Sequence, residues 1–286
     1  MQQHIDTFFQ HLKQVGDTAE NTFSAYQTDL GQLVAFLRDR GRQSWPAVSY
    51  DDLLAFQLHL RERGYADSTI ARRTAAARSF FTFLHEQAVI PTNPTEQIDT
   101  PKVTYPPPQA LTPEQVDALL ELPLRNPTPE RMRDKAMLEL LYATGMQVSE
   151  LIDLNRTDVD LEEGTVTCRG RGGRVRTLPL GHAASTAIEE YLDNARSQLA
   201  RNAPTSPALF LNHRGKRLSR QGIWLILQGY AQELDLAELT PRMLRTTFAA
   251  HLLRDGAKVD DVQKLLGHAA RTTTQLYTQV LVEDVG

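Results

Sequence analysis

The sequence predicts a mainly α-helical protein of two domains, the second of which contains a small antiparallel sheet. Apolar residues recur at helical spacing behind recognisable N-caps along most of the chain. A proline-rich stretch separates two such helical regions, and the second region contains a β-prone, arginine-rich run. We expect a helical N-terminal domain at 1–90, a linker at 91–109 and a C-terminal domain at 110–286.

Bulk composition restricts the classes of function. The chain has 286 residues, of which 41% are hydrophobic and 23% charged, a globular composition. Its 31 Lys+Arg and 35 Asp+Glu give a net charge of −4, which argues against a globally basic nucleic-acid binder but allows local phosphate-binding patches. The single cysteine, Cys168, excludes a disulfide within the chain and a four-cysteine zinc site.

The first residues, MQQHIDTFFQHLKQ, have neither the charged nor the apolar region of a secretory signal. No run of about 18 apolar residues is present, so we expect no membrane span and a cytoplasmic protein.

Three helices are predicted in the body of the first domain. One covers Asn21–Arg40, and a second follows the N-cap Ser49 and ends at Gly64. A third begins at Asp67, with an apolar stripe of Ile70, Ala77, Phe81 and Leu84.

Arginines lie away from the apolar stripe of this third helix, at Arg72, Arg73 and Arg78. Such a face is usually only solvated, and the alternative is a helix that contacts phosphates. We include these arginines, with Lys102 of the linker, as candidate DNA contacts.

The second domain begins with a strong helix signal, Thr112 as N-cap with Pro113 first in the helix and Gln115 as capping-box partner. The helix of RDKAMLELLYATG follows and ends at Gly145, and Gln147 opens the next, MQVSELIDL.

Residues 165–180 predict a hairpin that turns at Gly172 and Gly173, with 208–212 as a possible third strand. Its arginines either protect a strand edge or contact phosphate, and four within eight residues of an acidic protein favour phosphate. The hairpin candidates are Arg169, Arg171, Arg174 and Arg176, and the basic loop at 213–220 adds Lys216, Arg217 and Arg220.

The last forty residues combine two arginines, a histidine and a tyrosine. Thr240 and Pro241 begin a helix whose first turn carries Arg242 and Arg245, which repel each other beside a positive helix end. Either a bound anion or nearby acids must offset that charge. His268 follows a helix stop at Gly267, and Tyr277 lies nine residues later on a short predicted helix. Singly, each residue has a structural explanation; together they are the residue types that hold and attack a phosphodiester.

Several motifs resemble the tyrosine recombinase (phage integrase) family, most closely its Xer type. In the first domain these are NTFSAYQTDL and STIARRTAAARSFFTFL. In the second they are RDKAMLELLYATG, SELIDL, LTPRMLRTTFAAHLL, LLGHA and TTTQLYT.

The resemblance implies a helical, SAM-like core-binding domain and a mainly α catalytic domain with a small sheet, which together clamp duplex DNA. It implies a tyrosine that forms a 3′-phosphotyrosyl link, two arginines on the phosphate, a hairpin lysine and assisting histidines, with no metal or cofactor.

Carried over position by position, the pattern is partly kept. Tyr277 matches the nucleophile, Arg245 the second arginine and His268 the later histidine. Gln147 stands where the first arginine is expected, Arg171 where the hairpin lysine is expected, and Arg242 where a histidine is expected. We therefore expect phosphate binding to survive and strand cleavage to be slow or absent, because a neutral amide replaces a cationic fork and an arginine is a poor proton donor.

Two functions remain open: a site-specific recombinase that retains some activity, and a recombinase-derived DNA-binding protein with little catalysis. A topoisomerase-like relaxing enzyme would use the same residues. The resemblance also implies a C-terminal helix that docks into a neighbouring protomer of a tetramer on DNA. Only residues 278–286 follow Tyr277 here, so we expect a monomer without DNA and, on DNA, a homo-tetramer or an assembly with a partner recombinase; truncation is the alternative explanation.

Overall fold

A computed structural model describes residues 1–15, 20–103, 108–170, 173–268 and 273–277. The chain divides into two compact units, Met1–Tyr105 and Pro106–Gly286. Within the part of the chain so described, no helix combines the length and the apolar run that crossing a membrane requires.

The first unit is helical, as predicted. Its helices are α1 (Gln2–Val15), α2 (Glu20–Asp39), α3 (Tyr50–Glu62) and α4 (Asp67–Glu86). The predicted stripe of α4 is buried, with Ile70, Phe81 and Leu84 fully enclosed. Ser49 caps α3 by accepting the backbone N–H of Asp52, which makes the predicted N-terminus correct.

Part of the proline-rich stretch belongs to the first unit. Ile90 and Ile98 are buried in that unit's core. Arg78 donates to the carbonyl of Ile98, and Gln57 donates to that of Asp99. The chain therefore remains attached to the helices through residue 99, well into the range predicted as a linker.

The second unit surrounds the buried helix α6. Its elements are α5 (Pro113–Glu121), α6 (Pro129–Thr144), α7 (Val148–Asp153), β1 (Val159–Asp160), β2 (Thr165–Arg169), β3 (Val175–Pro179), α8 (Gly181–Glu190), α9 (Arg196–Leu199), α10 (Arg220–Glu233), α11 (Pro241–Arg254) and α12 (Val259–Leu266). Residues 273–277 are also helical. The predicted caps at Thr112 and Thr240 both form.

The sheet corrects one prediction. It runs β1-β2-β3, with the predicted hairpin of β2 and β3 paired antiparallel and Val159–Asp160 as the third strand. Residues 208–212 form isolated bridges only, at Ala208 and Leu211. They are apolar because they are buried, and Arg196 and Tyr191 satisfy the carbonyl of Leu209 in place of a strand.

Candidate active site

Arg245 lies inside the second unit and joins two helix ends. From the first turns of α11 its guanidinium donates to the carbonyl of Gly145 at 2.6 Å and to that of Leu266 at 2.7 Å. These carbonyls lie at the C-terminal ends of α6 and α12, where partial negative charge favours a cation. Burial lowers the pKa of Arg245, an effect that the nearby Tyr277 hydroxyl and the Glu150 carboxylate oppose.

Two glycines make this arrangement possible. Gly145 and Gly267 end α6 and α12 in the left-handed conformation, with φ of 58° and 68°. A Cβ at Gly145 would lie 2.2 Å from Cδ1 of Phe248, so the close approach of α11 requires a residue without a side chain. The predicted helix stops are confirmed and bring both carbonyls to Arg245.

His268 is fixed at three of its atoms. Its backbone N–H donates to the carbonyl of Gln263 at 3.2 Å, and its carbonyl accepts from the Gln263 side chain at 3.1 Å. Nδ1 lies 2.9 Å from the hydroxyl of Thr274, which is fully buried. Burial, with Arg245 and Arg176 nearby, lowers the pKa of His268 to about 4, so the imidazole is neutral at pH 7.

Tyr277 lies beside His268, with the ring centroids 5.9 Å apart. Its ring packs on a small apolar cluster that includes Phe248, Val262 and Leu266. Its hydroxyl is close enough to the Arg245 guanidinium to oppose the lowering of the Arg245 pKa. The structure therefore brings together three of the predicted site residues, Arg245, His268 and Tyr277.

Gln147 opens α7 two residues after Gly145. Its backbone N–H donates to Oε2 of Glu150 at 2.7 Å, and its side chain is half-buried. Because Arg245 binds the carbonyl of Gly145, Gln147 lies on the segment that borders the guanidinium. Position 147 therefore carries a neutral amide on the segment next to Arg245.

Arg242 and Arg245 diverge, although they share one end of α11. Arg245 is 8% exposed and faces the interior, whereas Arg242 is exposed and has no ion pair or hydrogen bond with any residue that the structure describes. Two backbone carbonyls offset the charge of Arg245, and solvent surrounds the exposed Arg242. Arg171 lies outside the described residues.

Three arginines predicted as DNA contacts instead contact other residues of the protein, and we no longer assign them to DNA. Arg73 is 5% exposed, beneath the ring of Tyr65 and 3.5 Å from Asp29. Arg176 forms a bidentate ion pair with Glu150, in which one contact, Nη2 to Oε2, measures 2.8 Å. Arg217 donates to the carbonyls of Ile152 and Leu154 and to Asn155, at the end of α7. Acceptors inside the protein thus satisfy the guanidinium groups of Arg176 and Arg217, whereas Nε and Nη1 of Arg73 are buried without a hydrogen bond.

The other candidates are exposed. Arg72 pairs with Asp29, Arg78 donates to a backbone carbonyl, and Arg169 pairs with Asp158. The side chains of the rest have no ion pair or hydrogen bond with the residues that the structure describes: Lys102, Arg174, Lys216 and Arg220.

Sequence reasoning missed Glu150 and Thr274. A signal for Glu150 exists, since an acid three residues after Gln147 fits a capping pattern at the start of α7. No local signal in the sequence indicates the ion pair of Glu150 with Arg176, because 26 residues separate the two partners. Thr274 stands in a run of three threonines, and only the position of His268 distinguishes it. Among the described residues, no group of His, Cys, Asp and Glu is arranged to hold a metal ion.

Comparisons with known proteins agree across both units. Residues 109–284 match the phage integrase family, and residues 5–88 match the phage integrase N-terminal SAM-like domain. Tyrosine recombinase XerC of Roseiflexus sp. (strain RS-1) is 59% identical over 282 residues, which cover 98% of this chain and 90% of that protein. Tyrosine recombinase XerD of Oceanobacillus iheyensis is 40% identical over 278 residues, with 96% and 93% covered.

Solved structures share the fold at low sequence identity. The XerH site-specific recombinase bound to palindromic difH substrate aligns with a TM-score of 0.74 at 20% identity, over 90% of this chain and 76% of that one. A lambda integrase dimer bound to a COC' core site aligns with a TM-score of 0.73 at 16% identity, over 97% and 94%.

Proposed function

Because the chain belongs to the phage integrase family and its close relatives are tyrosine recombinases, we propose that it binds duplex DNA and cleaves and rejoins strands slowly through Tyr277. The observation that carries the proposal is the convergence of Arg245, His268 and Tyr277. A guanidinium beside a phenol supplies charge stabilisation at the phosphate that the phenol attacks. The product is a 3′-phosphotyrosine and a free 5′-hydroxyl, so that rejoining reverses the attack.

The residues proposed to surround the phosphate differ from the family pattern at three positions. Gln147 offers neutral hydrogen bonds, and the loss of one transition-state donor typically slows a reaction about 10²–10³-fold. Arg242 is exposed at the first turn of α11 and free of ion pairs with described residues, so it is available to bind the phosphate. Arg171 carries charge but, with a pKa above about 12, protonates a leaving oxygen poorly. Such losses are seldom additive, so we propose reduced rather than abolished cleavage.

A second candidate function is DNA binding with little catalysis, as an accessory or regulatory protein. The observation that favours it is the neutral amide of Gln147 on the segment beside Arg245. Both functions require phosphate contacts, for which we propose the exposed Lys102 in the first unit and the exposed Arg174, Lys216 and Arg220 in the second.

A nicked suicide substrate separates the two functions. Such a duplex releases a short strand after cleavage, so that the covalent protein–DNA adduct accumulates. We expect a slowly forming adduct that Tyr277→Phe abolishes while leaving duplex affinity unchanged. DNA binding without any adduct, at saturating duplex and long incubation, would leave only the accessory function.

The assembly and the compartment are also proposals. We propose a monomer free in solution that assembles on DNA, either with copies of itself or with a partner recombinase, and a cytoplasmic location where chromosomal DNA lies. Mass photometry with and without duplex tests the first of these.

A further inference from the structure

We propose that Arg176 is a positioning residue that fixes the predicted hairpin against α7 and α12 and so sets the geometry of the site; this rests on the function proposed above. Sequence alone suggested that Arg176 contacts DNA. Its surroundings assign it a different role, because its guanidinium lies where three site-bearing segments meet.

All three nitrogens of the Arg176 guanidinium donate hydrogen bonds to acceptors within the protein. Nη1 and Nη2 bind the two carboxylate oxygens of Glu150, and Nε donates to the carbonyl of Leu265 at 2.9 Å. Only 18% of the Arg176 side chain and 3% of that of Glu150 are exposed. A bidentate pair fixes direction as well as distance, so β3 is held to both α7 and α12.

Each of these contacts lies beside a predicted site residue. Glu150 also accepts the backbone N–H of Gln147, which ties the pair to the start of α7. Leu265 precedes Leu266, whose carbonyl binds Arg245, and His268 follows two residues later. Displacement of Arg176 would therefore disturb the positions of Arg245 and His268.

Close packing leaves the guanidinium little freedom. A Cβ at Gly267 would lie 3.3 Å from Nη1 of Arg176, and one at Gly170 would lie 3.4 Å from the same atom and 3.1 Å from Oε1 of Glu150. These glycines directly precede His268 and Arg171 in the sequence. The ion pair thus fits between the two segments that carry these residues.

The test compares arginine-to-lysine changes at two positions of the second unit. Arg176→Lys keeps the charge but cannot form the planar bidentate pair. Arg125 is exposed and is not among the proposed DNA contacts, so Arg125→Lys is the control. We expect Arg176→Lys to keep duplex affinity within about threefold, since charge is retained, but to lower the rate of adduct formation at saturating DNA at least about tenfold, as misplaced reacting groups do. Arg125→Lys should change neither quantity. An unchanged rate in Arg176→Lys would overturn the proposal.

Removal of the charge supplies a second test. Arg174→Gln should weaken duplex binding and reduce the slope of log affinity against log salt by about one, as for a phosphate contact. Arg176→Gln should leave that slope unchanged. A reduced slope with a normal rate at saturation would make Arg176 a DNA contact and refute the positioning role.

A readout without catalysis separates this proposal from the proposed function. If the wild-type protein forms no adduct, that function fails, and amide hydrogen exchange and the His268 ring signal still test Arg176. We expect Arg176→Lys to speed exchange at residues 265–268 and to shift the ring signal, whereas Arg125→Lys does neither. Should Arg176→Lys fold poorly, Arg176→Gln combined with Glu150→Gln leaves no unpaired charge and should show the same changes. Wild-type exchange and ring signals in both variants would refute the proposal.

Discussion

Gly145→Ala should destabilise the second unit and slow the chemistry at Arg245. Gly145 has φ of 58°, in the left-handed region. The methyl group of an alanine there would lie 2.2 Å from Cδ1 of Phe248 and 2.9 Å from Cδ2 of Leu266. Phe248 is 7% exposed and Leu266 fully buried, so neither side chain has free space to enter.

Two contributions determine how much Gly145→Ala lowers the free energy of unfolding. The left-handed conformation costs an L-residue about 1–2 kcal/mol. Overpacking of a close-packed interior costs about 1–3 kcal/mol more. We therefore expect Gly145→Ala to lower the free energy of unfolding by about 2–5 kcal/mol. Because Phe248 lies three residues after Arg245 on α11, its displacement should also move that guanidinium and reduce the rate of adduct formation.

Gly164→Ala is the matched control. Gly164 has φ of 62°, and no atom lies within 4 Å of where its Cβ would be. It carries the conformational cost without the clash, so we expect a loss of about 1–2 kcal/mol and a normal rate at saturating DNA. Urea unfolding followed by far-ultraviolet circular dichroism measures both variants. Equal destabilisation by the two changes would refute the argument from packing.

Three further predictions concern the site and the core. The ring of His268 should titrate near pH 4 by NMR, and a midpoint near 6.5 would contradict this. Because the ordinary pKa of 6.5 applies in the unfolded state, the unfolded state binds more protons than the folded state between pH 4 and pH 6.5. The free energy of unfolding should therefore fall as the pH drops from 6.5 toward 4. Thr274→Val should alter the Nδ1 nitrogen shift of that ring and Thr274→Ser should restore it, because the hydroxyl binds Nδ1; an unaltered shift in the valine variant would argue against the bond. Asp134→Ala should cost about 3–5 kcal/mol in urea unfolding, because it leaves the buried Arg133 unpaired and removes an acceptor from Tyr230; a loss below about 1 kcal/mol would contradict that.

Capping and helix-stop residues in the sequence were sufficient to predict most of the helices. Caps such as Thr112 and Thr240, and stops such as Gly145 and Gly267, depend on residues within one turn, so the sequence alone identifies them. The prediction of a third strand at 208–212 was wrong, because an apolar run fits a buried loop as well as a strand. In this loop, side chains donate the hydrogen bonds that the backbone carbonyls need.

The sequence alone could not distinguish arginines that are exposed from arginines that form ion pairs inside the protein. Arg174 and Arg176 lie two residues apart in the same basic run, yet one is exposed and the other is paired with Glu150. The difference depends on a partner 26 residues away in the chain, which no local pattern reveals. Likewise, the spacing of Arg242 and Arg245 suggested one shared anion, whereas the fold turns Arg245 toward two helix ends.

We propose that Arg245, His268 and Tyr277 form a working site whose rate is limited by the neutral residue at position 147. The most direct measurement is the rate of covalent adduct formation on a nicked suicide duplex, at saturating DNA, for the wild-type protein and for Gln147→Arg. We expect a slow adduct from the wild type and a rate about 10²–10³ higher from Gln147→Arg, because the variant restores a cationic transition-state donor. Equal rates for the two proteins, or no adduct from either, would contradict the claim.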